Sequence, residues 1–365
     1  MQNTKPNLTH NELLELEQSI QKKALELGFQ QFGITTNDLD IHIERYKDWL
    51  DRGFHADLDY MEKHGSKRWQ ADELVPGTLR VISLRMNYLS DPNSPLGLLN
   101  EKEKAYISRY SLGRDYHKLI RSRLKKLIEH IKQKAESYSF RAFVDSAPVL
   151  ERAFAQKAGL GWFGKNTMLI SREAGSWFFL GEIYTDLPLP ISKPYIEEHC
   201  GSCKACLTAC PTKAFEGPYL LDAKRCISYL TIELKGRIPL ELRKPMGNRI
   251  FGCDDCQLVC PWNKFRKPSQ ETDFSPRNKL DDITLLELFS WNEETFLTNT
   301  AGSPIRRAGY ESWLRNIAVA LGNAPQSLVI VAALKRSRET ASPLVAEHID
   351  WALAQQTKPN NQEET

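Results

Sequence analysis

Residues 200–211 read CGSCKACLTACP and residues 253–261 read CDDCQLVCP, with Cys226 between them; the eight cysteines of the 365-residue chain all lie in this block. The first run is C-x2-C-x2-C-x3-C-P, the bacterial ferredoxin spacing for [4Fe–4S] ligation, in which the fourth cysteine serves the other cluster. That crossover predicts one cluster on Cys200, Cys203, Cys206 and Cys260, and a second on Cys210, Cys226, Cys253 and Cys256. Eight thiolates fill two clusters and leave no thiol for catalysis. A pair of Zn(Cys)4 sites also uses C-x2-C pairs, but zinc needs neither the threefold run nor the proline after each closing cysteine. The C-x3-C-x2-C of a radical S-adenosylmethionine site would need cysteine at 213 or 263, where Lys213 and Asn263 stand.

Working outward, 41% hydrophobic and 26% charged residues describe an ordinary globular chain and exclude disordered and fibrous classes. A net charge of +3 permits a polyanionic partner without demanding one. The N-terminus MQNTKPNLTHNELLELEQ lacks a basic segment followed by an apolar core, and no apolar run approaches the roughly 20 residues of a membrane span. A cytoplasmic protein is expected, where thiols stay reduced and metal ligation is the favoured use of clustered cysteines.

Three domains are expected. Residues 1–190 should form an α/β unit, 191–265 a ferredoxin-like double-cluster module introduced by Pro188, Pro190 and Pro194, and 266–365 a helical, HEAT-like segment with a frayed tail; the whole is of the α+β class. Leu13, Leu16, Ile20, Ala24 and Leu27 share one helical face, with Gly28 at the C-terminal turn. Strands are expected at 31–35, 80–89, 104–110, 140–145, 167–170 and 177–184, and packed helices at 310–322, 327–335 and 343–355.

Gly159, Gly161 and Gly164 spell the dinucleotide fingerprint G-x-G-x-x-G, but that motif binds nucleotide only after a strand and before a helix. Here helical sequence precedes it and strand-like sequence follows, so a tight turn or close approach to a large flat ligand is expected instead. Asp145, after the apolar FRAFV, is readable either as a helix N-cap or as a general acid at a strand end.

Several segments together resemble the epoxyqueuosine reductase family: residues 64–89 (HGSKRWQADELVPGTLRVISLRMNYL), 105–118 (AYISRYSLGRDYHK), 144–170 (VDSAPVLERAFAQKAGLGWFGKNTMLI), 171–190 (SREAGSWFFLGEIYTDLPLP), the cysteine block and 313–323 (WLRNIAVALGN). The resemblance implies a cobalamin-dependent iron–sulfur enzyme of the last step of queuosine synthesis. Such enzymes reduce epoxyqueuosine to queuosine at the wobble position of tRNAs for Asp, Asn, His and Tyr. Two [4Fe–4S] clusters would feed electrons to cobalamin, whose reduced cobalt is a strong nucleophile toward an epoxide carbon. Asp145 would then donate the proton that oxygen needs, and Arg68, Ser108, Asp145, Lys165, Asn166, Ile170 and Ser228 would contact cobalamin. No D-x-H-x-x-G is present, since Arg45 and Ile120 occupy the glycine places after Asp40/His42 and Asp115/His117, so an open lower cobalt face is expected.

A tRNA partner gives basic residues a purpose. Lys235 and Arg237 are the leading candidates for anticodon stem-loop contact, among a group that includes Arg243, Lys244, Arg249, Lys264, Arg266 and Lys267; Arg306, Arg307 and Arg315 are further candidates. The basic stretch 118–134 reads foremost as the solvated face of an amphipathic helix, with tRNA phosphate contact as the alternative. An external low-potential electron donor and a monomer are expected. The alternatives are a stand-alone ferredoxin-type carrier, which would take up iron but no corrinoid, and a reductive dehalogenase-like corrinoid enzyme, which should carry a twin-arginine leader.

Overall fold

The computed structural model describes residues 8–90 and 96–359. The part of the expected frayed tail beyond 359 lies outside them. Helix α1 (His10–Glu26) opens with a capping box, Thr9 and Glu12 satisfying each other's backbone donors, and buries Leu13, Leu16, Ile20 and Ala24. Gly28, at φ 86°, reverses the chain into the first strand in a conformation that costs glycine little.

Four strands build the central sheet: β1 (Gln31–Thr36), β2 (Arg80–Asn87), β3 (Phe140–Phe143) and β4 (Phe178–Thr185). Their order is β1-β2-β4-β3 and every pairing is antiparallel, which sets the unit in the α+β class. β2 and β4 are buried along nearly their whole length because both faces are covered. On one face Ile34, Ile82, Leu84 and Ile183 pack with α1 and with α2 (Tyr116–Lys132), through Ile120, Leu124, Leu127 and Ile131. On the other, Val81, Phe143 and Tyr184 pack with Ala153 and Phe154 of α3 (Glu151–Lys157). α2 is amphipathic as its sequence requires: its basic residues lie outside, and Arg123 pairs with Glu271 at 2.7 Å.

The expected strand at 104–110 shrinks to Tyr106–Ile107, because its partner is the three-residue Arg249–Phe251 strand far along the chain, with which it pairs in parallel. The expected 167–170 strand shortens to Leu169–Ile170, hairpinned with Trp162–Phe163. Between them Gly161 has no room for a side chain, since a Cβ would lie 2.2 Å from the Ile170 carbonyl oxygen. The G-x-G-x-x-G therefore serves a packed turn after α3.

Helices α4 (Tyr310–Asn323), α5 (Leu328–Arg338) and α6 (Pro343–Gln356) form the C-terminal bundle, with Trp313, Ile317, Leu334 and Ile349 fully buried. Their core continues into Ile107, Leu112, Ile250 and Phe251, and Phe274 returns to the core beneath the sheet. Bundle, cysteine block and sheet thus share interior side chains. No helix among the described residues is long and apolar enough to cross a membrane.

Candidate active site and cysteine module

A cavity of about 470 Å³ opens where the start of β4, the end of β3 and the cysteine loops meet. Tyr88, Tyr110, Tyr116 and Phe179 form an aromatic wall; Tyr116 and Phe179 stack at 3.8 Å with 6° between their planes. Cys210, Cys226, Cys253 and Cys256 also line the cavity, and so does Asp145.

Asp145 follows β3 by two residues, while the next helix, α3, begins only at Glu151 with Leu150 as its cap. The N-cap reading is thereby corrected: the carboxylate has left the helix end and accepts hydrogen bonds from side chains of α2 instead. Tyr116 donates its hydroxyl to Asp145 Oδ2, and His117 Nε2 lies 2.5 Å from Oδ1. The other imidazole nitrogen, Nδ1, is 2.6 Å from Asp115 Oδ1, and Arg307 Nη2 donates to Asp115 Oδ2 at 2.8 Å. Burial works against charge on His117, but its bonds to Asp115 and Asp145 outweigh it and raise the imidazole above its usual range. Burial likewise opposes charge on Asp115, yet His117 and Arg307 hold its carboxyl down at about 2.

Of the residues expected around a cofactor, Ser108, Asp145, Asn166 and Ser228 line the cavity. Ser108 Oγ donates to Asp254 Oδ1 at 2.6 Å, and Asn166 Nδ2 donates to the Cys256 carbonyl at 3.1 Å. Arg68, Lys165 and Ile170 are not on the wall. Arg68 is buried with its guanidinium on the Tyr60 carbonyl, Lys165 Nζ donates to the carbonyls of Gly201 and Cys203, and Ile170 packs beside Gly164.

The cysteine block has little regular structure and few buried apolar side chains of its own between residues 195 and 212. None of the eight cysteines forms a disulfide. Burial pushes the Cys206 thiol up to about 11, with Cys260, Cys200 and Cys203 adding to it; Cys226 is raised by burial and by Cys210, and Cys256 by burial and foremost by Cys226. Buried thiols that repel one another's charge are relieved by binding a positive centre, so the donor set fits iron–sulfur ligation. Among the described residues no three His, Cys, Asp or Glu converge closely enough to hold a lone metal ion. Asp254, buried between Cys253 and Asp255, anchors this loop to the sheet domain by accepting from Ser108 Oγ, Tyr106 OH and the Arg109 amide.

The basic candidates separate sharply. Lys235 and Arg237 are exposed. Arg315 is fully buried, donating to the carbonyls of Leu230, Leu234 and Gly236 at 2.7 Å each, so it shapes the Lys235 loop and cannot reach nucleic acid. Arg243 is taken up by Glu347 and Arg249 by Asp255 in intramolecular pairs. Arg306 and Arg307 are both exposed, and Arg307 is held by Asp115.

Sequence reasoning missed His117 as Asp145's partner, and with it Tyr116, Asp115 and Arg307. The adjacency of Asp115 and His117 was the only signal, and it was weighed as a metal-type motif. Glu151, partly buried on the cavity lining, and Glu182, fully buried in β4, were missed altogether.

Residues 199–263 match the family model described as a 4Fe-4S double cluster binding domain, and residues 68–146 match that described as Epoxyqueuosine reductase QueG, DUF1730. The block therefore is a double [4Fe–4S] module. An epoxyqueuosine reductase of Pseudomonas aeruginosa is 59% identical over 95% of this chain and 96% of its own length. A crystal structure of an epoxyqueuosine reductase with an epoxyqueuosine-modified tRNA-Tyr stem loop superposes with a TM-score of 0.86 at 28% identity, covering 96% of each chain. A Bacillus subtilis epoxyqueuosine reductase, solved with its catalytic aspartate loop swung out of the active site, gives 0.86 at 29% identity over 95% of this chain and 92% of that one. With an acid and four cysteines lining one cavity, a double-cluster module, and identity sustained over almost its whole length, the chain belongs to the epoxyqueuosine reductase family.

Proposed function

We propose that this chain reduces epoxyqueuosine to queuosine at the wobble position in the anticodon loop of tRNAs for Asp, Asn, His and Tyr, closing queuosine synthesis. The observation that carries the reading is one cavity lined both by Asp145 and by Cys210, Cys226, Cys253 and Cys256. Converting an epoxide to an alkene breaks two C–O bonds, consumes two electrons and two protons, and releases water. Electrons must arrive from the cysteines and protons from the acid, and a reactant in the cavity meets both.

The aromatic side chains lining the cavity suit a broad planar macrocycle, with Ser108, Asn166 and Ser228 as polar contacts. Cobalamin bound there would supply a reducing cobalt centre for the epoxide carbon. Asp145 is the proton donor to the opening oxygen. His117 and Tyr116 fix its carboxyl, and Asp115 fixes His117 in turn. The Asp145 carboxyl is bonded by Tyr116 and His117 of α2, and in the Bacillus subtilis relative the catalytic aspartate loop is seen swung out of the active site.

Residues 1–190 act as the cofactor and catalytic domain, 191–265 as the electron module and 266–365 as the helical segment of a cytoplasmic monomer. Cys203, the most open of the cysteines, marks the side where an external low-potential donor delivers electrons. Lys235 and Arg237 contact stem-loop phosphates; the exposed loop they share is anchored by Arg315.

The test is conversion of an epoxyqueuosine-containing anticodon stem-loop by anaerobically purified protein reconstituted with iron, sulfide and cobalamin, read by nucleoside mass spectrometry. Loss of one oxygen with formation of queuosine is expected. Iron uptake without corrinoid uptake would instead identify a carrier.

A further inference from the structure

Behind the cavity the sheet buries a carboxyl that nothing around it satisfies. Glu182, in the middle of β4, is 0% exposed, and neither of its carboxyl oxygens has a hydrogen-bond partner. It sits opposite Ser83 of β2 and Phe143 of β3, on the face covered by α3, and Phe143 is two residues before Asp145. Glu151, the first residue of α3, lines the cavity together with Asp145, and its Oε2 is buried and unpartnered as well.

None of the nearby guanidinium groups is hydrogen-bonded to Glu182, although the Arg152 charge acts on Glu151 and Arg85 Nε is buried without a partner. Arg152 donates to the Thr167 carbonyl; Arg85 donates to Ser171 Oγ and lies over the Phe178 ring; Arg141 lies over Phe143. Of the neutral groups nearby, the hydroxyls of Ser83 and Tyr184 are buried without partners. His117 is the cation nearest the Asp145 side and is shared between Asp145 and Asp115. A carboxylate left ionised in such a place costs several kcal/mol, so the group takes up a proton instead. Burial raises Glu151, with Asp145 next; burial raises Glu182, with Glu151 and Asp145 next. Glu182 is thus a buried acid kept protonated by its surroundings, with Glu151 and Asp145 as its nearest acidic neighbours.

We propose that Glu182 and Glu151 are each kept protonated and resupply Asp145, through the cavity that Glu151 and Asp145 both line, after Asp145 has protonated the epoxide oxygen. The inference rests on the reaction assigned above. The balance is complete: the cluster module passes two electrons from the external donor, the first proton leaves Asp145 as one C–O bond opens, and the second comes from the glutamate pair through Asp145. The second C–O bond then breaks, the alkene forms and water departs. Solvent recharges the pair between turnovers. Glu182 touches no reactant and is a positioning and supply residue; Glu151 reaches the cavity itself.

The test uses the full chain carrying both clusters and cobalamin, with the stem-loop substrate and the variants E182Q and E151Q. Each variant should lower kcat about tenfold at pH 8 and much less at pH 6, where solvent replaces the pair, with KM for the stem-loop unchanged. The infrared carbonyl band of a buried carboxylic acid should weaken in E182Q, a readout independent of turnover. Variants whose pH profiles superimpose on wild type, or an acid band untouched by both substitutions, would overturn the proposal. So would reduced corrinoid uptake by E151Q at an unchanged pH profile, which would make Glu151 a cofactor contact. If E182Q does not fold, E151Q decides by the same two readouts. A wild type that fails to convert the epoxide overturns the assigned reaction; a converting wild type with unaffected variants overturns this inference alone.

Discussion

His117 bridges two carboxylates, with Nε2 2.5 Å from Asp145 Oδ1 and Nδ1 2.6 Å from Asp115 Oδ1. This geometry fixes where Asp145 points, and a displaced acid donates poorly. His117→Gln should lower turnover by about 10- to 100-fold while leaving cluster and corrinoid absorbance intact. The imidazole is raised above its free value, so its stabilisation is complete below about pH 6.5 and is lost as pH climbs through the higher folded value. Melting temperatures of wild type and H117Q should therefore differ most near pH 6 and converge at alkaline pH.

Asp145→Asn removes the acidic proton and keeps the shape. Turnover should fall by about 10²- to 10⁴-fold, with iron content and corrinoid binding unchanged. Normal single-turnover rates in D145N would eliminate the carboxyl as donor.

Crossed ligation makes neighbours in sequence belong to different clusters. Cys206→Ser and Cys210→Ser should each cut iron from about eight to about four per chain, yet leave different residual clusters. C210S and C226S should then show the same residual paramagnetic resonance signal, and C206S and C260S the other. Identical signals from C206S and C210S would refute the crossover.

Lys235 and Arg237 differ from Arg315 in kind. Reversing the charge of the exposed pair should weaken stem-loop binding and flatten its salt dependence, by roughly 0.7–0.9 in the log–log slope per lost phosphate contact, at unchanged melting temperature. Arg315→Met strips donors from three buried carbonyls and should destabilise the protein by about 3 kcal/mol. Thermal melts and filter binding separate the two effects.

The elements legible from sequence are those whose pattern is local. α1 declares itself by Leu13, Leu16, Ile20 and Ala24 and by the cap at Thr9, and α4 to α6 by similar periodicity. The strand at 106–107 was over-extended because its length is set by Arg249–Phe251, more than a hundred residues away. Basic residues near the module looked alike in sequence; only burial separates Arg243, Arg249 and Arg315, consumed inside the fold, from Lys235 and Arg237.

By itself the sequence determined the electron module, because cluster ligation is a matter of thiol count and short spacing, which survive any arrangement of the rest of the chain. It also singled out Asp145. The tertiary structure alone decided what surrounds that acid. His117, Asp115 and Arg307 come to it from α2 and from just ahead of the C-terminal bundle, and Glu182 reaches its neighbourhood through antiparallel strand register. Hydrogen bonds and burial act over a few ångströms in space, and a one-dimensional pattern carries no such distances between residues so far apart in the chain.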